Sequence, residues 1–162
     1  MRFLMIDRIE RWRLGSEAVA TKNVALSEDF FDDHFPLKPI LPGVLIIEGL
    51  AQLGGLLLEE SVRHAEGRRV KALLSLVERA KFRRPVHPGD RLRYHATIAS
   101  VNEMGGRCDV TAKLEDETES VVATAGLLFT FHAFENPSLE ARRDAVLSLW
   151  LHECTDRMEC AP

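Results

Sequence analysis

A histidine and a carboxylate stand inside the most apolar stretch of the chain, "DDHFPLKPILPGVLIIEGLAQ", residues 32–52. Imidazole changes charge near neutral pH, so His34 can give or take a proton under ordinary conditions. Glu48 is the stranger of the two. Stripping water from an ionised carboxylate is costly, so one kept among Leu, Ile and Val must be paired or hold its proton. Taken singly, His34 reads as a core or turn histidine, and Glu48 as a polar pin that fixes helix register by bonding to Gln52. A pin needs an equally buried partner, which tips Glu48 toward proton-transfer chemistry.

The elements that must hold these residues follow from the pattern around them. Pro42 sits at a favoured first helical position and Gly43 follows it. The helix is predicted over residues 42–64, ~34 Å at 1.5 Å per residue. Apolar side chains from Val44 to Leu58 occupy nearly every face, which predicts a helix enclosed by protein. It is no membrane span: Pro42, Gly43, Glu48, Gln52 and the Gly54-Gly55 pair count against one. Ahead of it, "FLMIDRIERWRLGSEAVATKNV" reads as two strands joined through Gly15. Behind it, "VKALLSLVER", "AKFRRPV", "DRLRYHATIASVNEM", "GRCDVTAKLED" and "ESVVATAGLLFTFHAF" read as strands, with turns at "HPGD", "MGG" and "EDETE". One long buried helix with five to six mainly antiparallel strands predicts an α+β fold, a sheet wrapped around the helix. "NPSLEARRDAVLSLWLHECTDRM" predicts an amphipathic C-terminal helix with apolar positions at 139, 146, 149 and 150.

The whole chain narrows the function classes. Its 162 residues, 46 % apolar and 28 % charged, suit one globular domain with a real core. A net charge of −4 and sparse aromatics speak against a nucleic-acid platform. Three widely spaced cysteines, 108, 154 and 160, and a charged N-terminus without a long apolar run fit a reducing cytoplasm rather than secretion. His152, Cys154 and Cys160 lack a second close ligand pair, so a zinc site is not expected there. His64, His87, His95 and His132 are scattered, and Asp90 in "HPGD" is expected to hold a turn.

"HFPLKPILPGVLIIEGLAQ" closely resembles the active-site signature of the FabZ-type 3-hydroxyacyl-[acyl-carrier-protein] dehydratases, a hotdog-fold family. "FLMIDRI", "ATKNV", "FFDDHFP" and "AKFRRPVHPGDRLRYHATI" resemble further family blocks in the family order, so the likeness runs over about residues 3–132. It implies a dehydratase domain over 1–134, with 135–162 as a C-terminal helical extension of the same domain. The implied reaction is loss of water from a 3-hydroxyacyl thioester on acyl carrier protein, giving the trans-2-enoyl thioester in fatty-acid or related lipid or polyketide synthesis. The family histidine and glutamate fall on His34 and Glu48, which the family pairs across a homodimer interface, at times in a trimer of dimers. His34 would take the proton beside the carbonyl and Glu48 would hold one for the leaving oxygen. The Gly43 N–H, at a helix start, would steady charge on the carbonyl oxygen. No metal or cofactor is required.

Phe35, Pro42, Val44, Gln52 and Phe82 are the candidate acyl-binding residues, Phe82 being equally readable as core. Arg79, Lys81, Arg83 and Arg84, with Arg91 and Arg93 nearby, concentrate basic charge suited to an acidic carrier protein, or form a solvated strand face. Three departures from the family stand out. Leu37 replaces the usual glycine and is expected to reshape the turn beside His34; Gly49 replaces the usual alanine and is expected to widen a helix contact; and the tail after 134 could pack on the sheet, mediate assembly or cover an acyl tunnel. Two other readings are a hotdog thioesterase and a non-catalytic module that binds acyl thioesters. The intact His34 and Glu48 argue against both.

Overall fold

The computed structural model describes residues 3–133, 136–154 and 156–158. Its elements run β1 (Arg8–Arg13), β2 (Glu17–Asn23), α1 (Gly43–Glu66), β3 (Val70–Phe82), β4 (Arg91–Asn102), β5 (Gly105–Leu114), β6 (Val121–Ala133), α2 (Pro137–Trp150) and β7 (Asp156–Met158), with a single 3-10 turn at Asp29–Phe31. The strands form one sheet in the order β3-β6-β5-β4-β2-β1-β7. It curls around α1 as a hotdog fold.

Helix α1 is where the sequence places it, one residue later at its start. Pro42 has φ −56° and ψ 126°, so it caps the helix and Gly43 is the first helical residue. At the other end Gly67, at φ 66°, donates its N–H to the Arg63 carbonyl, a left-handed glycine stop. Ile46, Leu50, Leu53, Leu57 and Leu58 of α1 are buried against Ile9, Ala20, Leu92, Tyr94, Val110 and Leu127 of the sheet. Each such Leu or Ile contributes about 1.5–3 kcal/mol on removal from water, so the helix is the core of the fold.

Gly49 corrects an expectation. A Cβ there would lie 2.5 Å from Cε2 of Tyr94, whose ring is buried. The glycine therefore brings a ring onto the helix backbone, and the contact is closer rather than wider.

The strands depart from the sequence reading in two ways. "VKALLSLVER" and the first three residues of "AKFRRPV" belong to one long strand, β3, whose pairing with β6 shifts between Glu78 and Lys81; Arg83 to Val86 lie beyond its end. Arg79 sits in that bulge at φ 49°. The tail also returns to the sheet instead of continuing as helix: β7 pairs in parallel with β1, which makes seven strands among the described residues. Arg11 and Arg13 both bond Asp156 there, with Arg11 Nε 2.8 Å from its Oδ2.

The apolar face of α2 differs too. Leu147, Trp150 and Leu151 are buried and Val146 is half-buried, whereas Leu139 and Leu149 are exposed. Positions 147, 150 and 151 share one helical face, so these four residues, not 139 and 149, meet the core.

Candidate active site

His34 is set by the loop before α1. Its backbone N–H donates to the Phe30 carbonyl at 3.0 Å, and its own carbonyl accepts from Ile40 N at 3.0 Å. Leu41 N then ties the loop to Val86 at 2.8 Å. The ring is stacked on Phe35, centroids 4.2 Å apart, and Nδ1 lies 2.7 Å from the Ile40 carbonyl oxygen. A carbonyl only accepts, so Nδ1 carries the hydrogen and Nε2 is the nitrogen with a free lone pair.

The turn Phe35-Pro36-Leu37-Lys38 beside it is closed by Lys38 N to Phe35 O at 3.0 Å, with Leu37 at φ 68°. Proline second and a positive φ third is the pattern of a type II turn, whose third place suits glycine. Leucine fills that third place. It occupies a glycine conformation with its side chain fully exposed.

Glu48 is half-buried on α1 rather than sealed in the core. Gln52, one turn on, donates from Nε2 to Glu48 Oε1 at 2.9 Å and to the Phe3 carbonyl at 3.1 Å, while its Oε1 accepts from Met5 N at 3.0 Å. The N-terminal segment thus fixes Gln52, and Gln52 fixes one carboxylate oxygen. Glu48, Ala51, Gln52, Gly55, Leu56 and Glu59 follow helical spacing along one face and line a groove of ≈ 450 Å³. Its opposite wall is Ala72, Leu73 and Leu74 at the start of β3, with Phe129. Ala51 and Gly55 leave the room; a Cβ on Gly55 would come within 3.3 Å of the Phe129 ring.

Within one chain His34 does not line this groove. Nor do Phe35, Pro42, Val44 or Phe82; of the candidate acyl-binding residues only Gln52 does. Phe82 lies over the helix start, where a Cβ on Gly43 would be 2.8 Å from its ring. The Gly43 N–H is one of the first four of α1 and has no acceptor within the helix. Phe35, Val44 and Phe82 are more than half exposed. Leu73, Leu74, Leu76 and Val77 are also exposed, though less than half, along β3, an edge strand.

The basic residues divide. Arg79, Lys81 and Arg83 line one shallow cleft of ≈ 390 Å³ on the sheet with His95, Thr97 and Thr124. Among the described residues none of these three cations has a carboxylate within ion-pair distance. Burial, then the charges of Lys113, Arg93 and Arg11, pushes the His95 imidazole below its ordinary value, so it adds no charge near neutral pH. Arg84 instead faces Asp116 at 3.6 Å and Ser120. Arg91 and Arg93 are paired with Glu10 and Glu115.

Asp90 holds its turn, accepting from His87 N at 2.8 Å. Burial pushes the Cys108 thiol up to about 12, which leaves it un-ionised and unsuited to nucleophilic attack. Cys160 lies outside the described residues.

One cluster escaped the sequence reading. Glu59, 2 % exposed, accepts from Lys71 Nζ at 2.9 Å, Ala72 N at 2.9 Å and Arg143 Nε at 2.7 Å. Arg143 also bonds Glu60. The adjacent glutamates in "LLLEES" were the only sequence signal, and their main cation comes from the tail.

The FabA-like domain family matches residues 1–125. The chain is 41 % identical to the 3-hydroxyacyl-[acyl-carrier-protein] dehydratase FabZ of Nitratiruptor sp. over 124 residues, 72 % of this chain and 84 % of that one. It is 39 % identical to the enzyme of the same name from Lactobacillus helveticus over 126 residues, 78 % and 81 % of the two chains. Among solved structures, the dehydratase heterocomplex ApeI:P from Xenorhabdus doucetiae aligns with TM-score 0.54 and 23 % identity, covering 71 % of this chain and 88 % of that one. A hypothetical thioesterase with coenzyme A from Streptococcus pneumoniae aligns with TM-score 0.59 at 14 % identity, covering 80 % and 88 %. At these identities the structural likeness speaks for the hotdog fold alone.

Proposed function

The chain belongs to the FabA-like family, and on that premise we propose how it works: it is a 3-hydroxyacyl-[acyl-carrier-protein] dehydratase of fatty-acid synthesis, and His34 and Glu48 carry its chemistry. In the reaction the C2–H bond breaks, the C2=C3 bond forms, and the C3 hydroxyl leaves as water. Nε2 of His34 takes the C2 proton, since its Nδ1–H is committed to the Ile40 carbonyl. Glu48 supplies the proton that turns the departing hydroxyl into water. Gln52 holds one of its oxygens and leaves the other for the substrate. Negative charge gathering on the thioester oxygen meets the Gly43 N–H at the positive end of α1, worth about 2–4 kcal/mol for a well-placed donor.

The observation that carries this reading is the separation of the two groups within one chain. His34 stands at the exposed apolar margin of the molecule and Glu48 in a groove that opens beside β3, itself an unpaired edge lined with exposed Leu and Val. An edge of this kind asks for a partner. Two copies joined along it form a homodimer in which His34 of one faces Glu48 of the other, and Phe35, Val44 and Phe82 become covered walls of the acyl site. Arg79, Lys81 and Arg83, without carboxylate partners among the described residues, are the docking surface for acidic acyl carrier protein; Arg84 is engaged elsewhere. No helix among the described residues is long and apolar enough to cross a membrane, and the sparse cysteines suit work in the cytoplasm.

The test is enoyl product formation from a 3-hydroxyacyl carrier protein by wild type, His34→Ala and Glu48→Gln. Each variant is expected to lose at least about a hundredfold in kcat while keeping the wild-type circular dichroism spectrum. A folded variant with near wild-type turnover would remove that residue from the mechanism. Wild type that binds the thioester without converting it would leave a binding module.

A further inference from the structure

The groove that begins at Glu48 and Gln52 is bounded by α2 as well as by α1 and β3. Arg142, Arg143, Val146 and Trp150 of α2 line it, and Arg143 meets Glu59, itself paired with Lys71, about three helical turns along α1 from Glu48. Helix α2 lies beyond the residues matched by the family. Its place follows from the sheet order. The chain leaves β6, neighbour of the edge strand β3, and returns as β7 at the opposite edge, so α2 must cross the open side of α1. Ion pairs fix where it crosses. Arg143 holds Glu59 and Glu60, Arg69 at the start of β3 holds Glu140, and Trp150 is buried in the core.

We infer that α2 is the stop for the acyl chain: Val146 and the Glu59–Lys71–Arg143 cluster form the end wall that sets an upper limit on the length of substrate accepted. The inference rests on the dehydratase reading, which puts the reacting carbons at Glu48. From Glu48 to the level of Leu56 and Glu59 the helix rises ~12–16 Å. An extended acyl chain advances roughly 1.25 Å per carbon, from C–C bonds of about 1.5 Å at angles near 111°. Roughly ten to thirteen carbons therefore fit beyond the reacting centre. The lining up to that point is apolar and small, with Ala51, Gly55, Leu56, Leu73 and Leu74. The wall is ionic and its charges are mutually satisfied: Glu59 accepts from Lys71, Ala72 and Arg143 at once. A longer chain would have to part these pairs and leave charge facing methylene. The limit should thus be abrupt.

The experiment is kcat/KM for 3-hydroxyacyl carrier proteins from about 4 to about 18 carbons, a span that brackets the groove, each value taken relative to the shortest chain. Wild type is expected to drop about tenfold over a narrow range of lengths near the groove's capacity. Val146→Trp, which thickens the wall, should move the drop to shorter chains. Arg143→Met, which opens the cluster, should move it to longer ones. Because each variant is compared with itself, a general loss of fold or rate does not shift the position of the drop. A drop at the same length in all three proteins, or none in wild type, overturns the inference and leaves the dehydratase reading standing. No turnover of any chain overturns that reading, and the inference with it.

Discussion

At the scale of single residues, the departures from the family pattern have physical explanations of different kinds. Gly49 is matched to a neighbour: its missing Cβ is the space the Tyr94 ring uses. Leu37 is matched to nothing among the described residues. It holds φ 68° with its side chain in solvent, so it bears the cost of a left-handed conformation without packing in return. For a residue with a Cβ that cost is roughly 1–2 kcal/mol. Leu37→Gly should therefore stabilise the protein by about 0.5–1 kcal/mol, part of the relief being offset by the freer unfolded chain. Urea melts would measure it. A loss of stability or a weaker dimer in the variant would mean instead that Leu37 is kept for a contact with a second copy.

At the scale of elements, α2 is held by a buried apolar face and by charge together. Leu147 and Trp150 bury against the core, but Leu139 and Leu149 do not. The polar anchor across α1 is Arg143, half-buried between Glu59 and Glu60. Removing one partner of such a cluster leaves a buried charge short of bonds, although Lys71 still serves Glu59. Arg143→Met is expected to cost about 2–3 kcal/mol in urea melts. The pair Arg143→Met with Glu59→Gln should cost less than the sum of the two single changes, because the second removes the charge the first exposed. Additive losses would mean that the two side chains are energetically independent, and that α2 is held by its apolar residues after all.

At the scale of the whole molecule, the proposed site is divided between copies. Mixing two inactive proteins decides this directly. If His34 of one copy serves Glu48 of the other, a dimer with one His34→Ala chain and one Glu48→Gln chain contains one intact site. Random 1:1 exchange should then restore about a quarter of wild-type activity, since about half the dimers are mixed and each has one working site of two. If both groups serve their own chain, no combination restores activity. Remixing under conditions that exchange subunits, followed by an assay of enoyl formation, gives the answer.

The sequence by itself determined a good deal. The apolar run after Pro42 and the alternating segments behind it dictate one buried helix and a sheet, because periodicity and turn chemistry are local properties. His34, Glu48 and Gln52 were legible for the same reason: they lie within one continuous signature, and Gln52 reaches Glu48 across a single helical turn. The tertiary structure decided what depends on distance through space. It separated Arg79, Lys81 and Arg83, unpaired with any carboxylate among the described residues, from Arg84, Arg91 and Arg93, whose partners come from other strands and turns. It made a strand of Asp156–Met158, because the exposed edge of β1 offered hydrogen bonds and Arg11 and Arg13 offered charge to Asp156. It also joined Glu59 to Arg143, 84 positions along the chain. Ion pairs and end walls are made between elements, and residue spacing carries no record of which elements will meet.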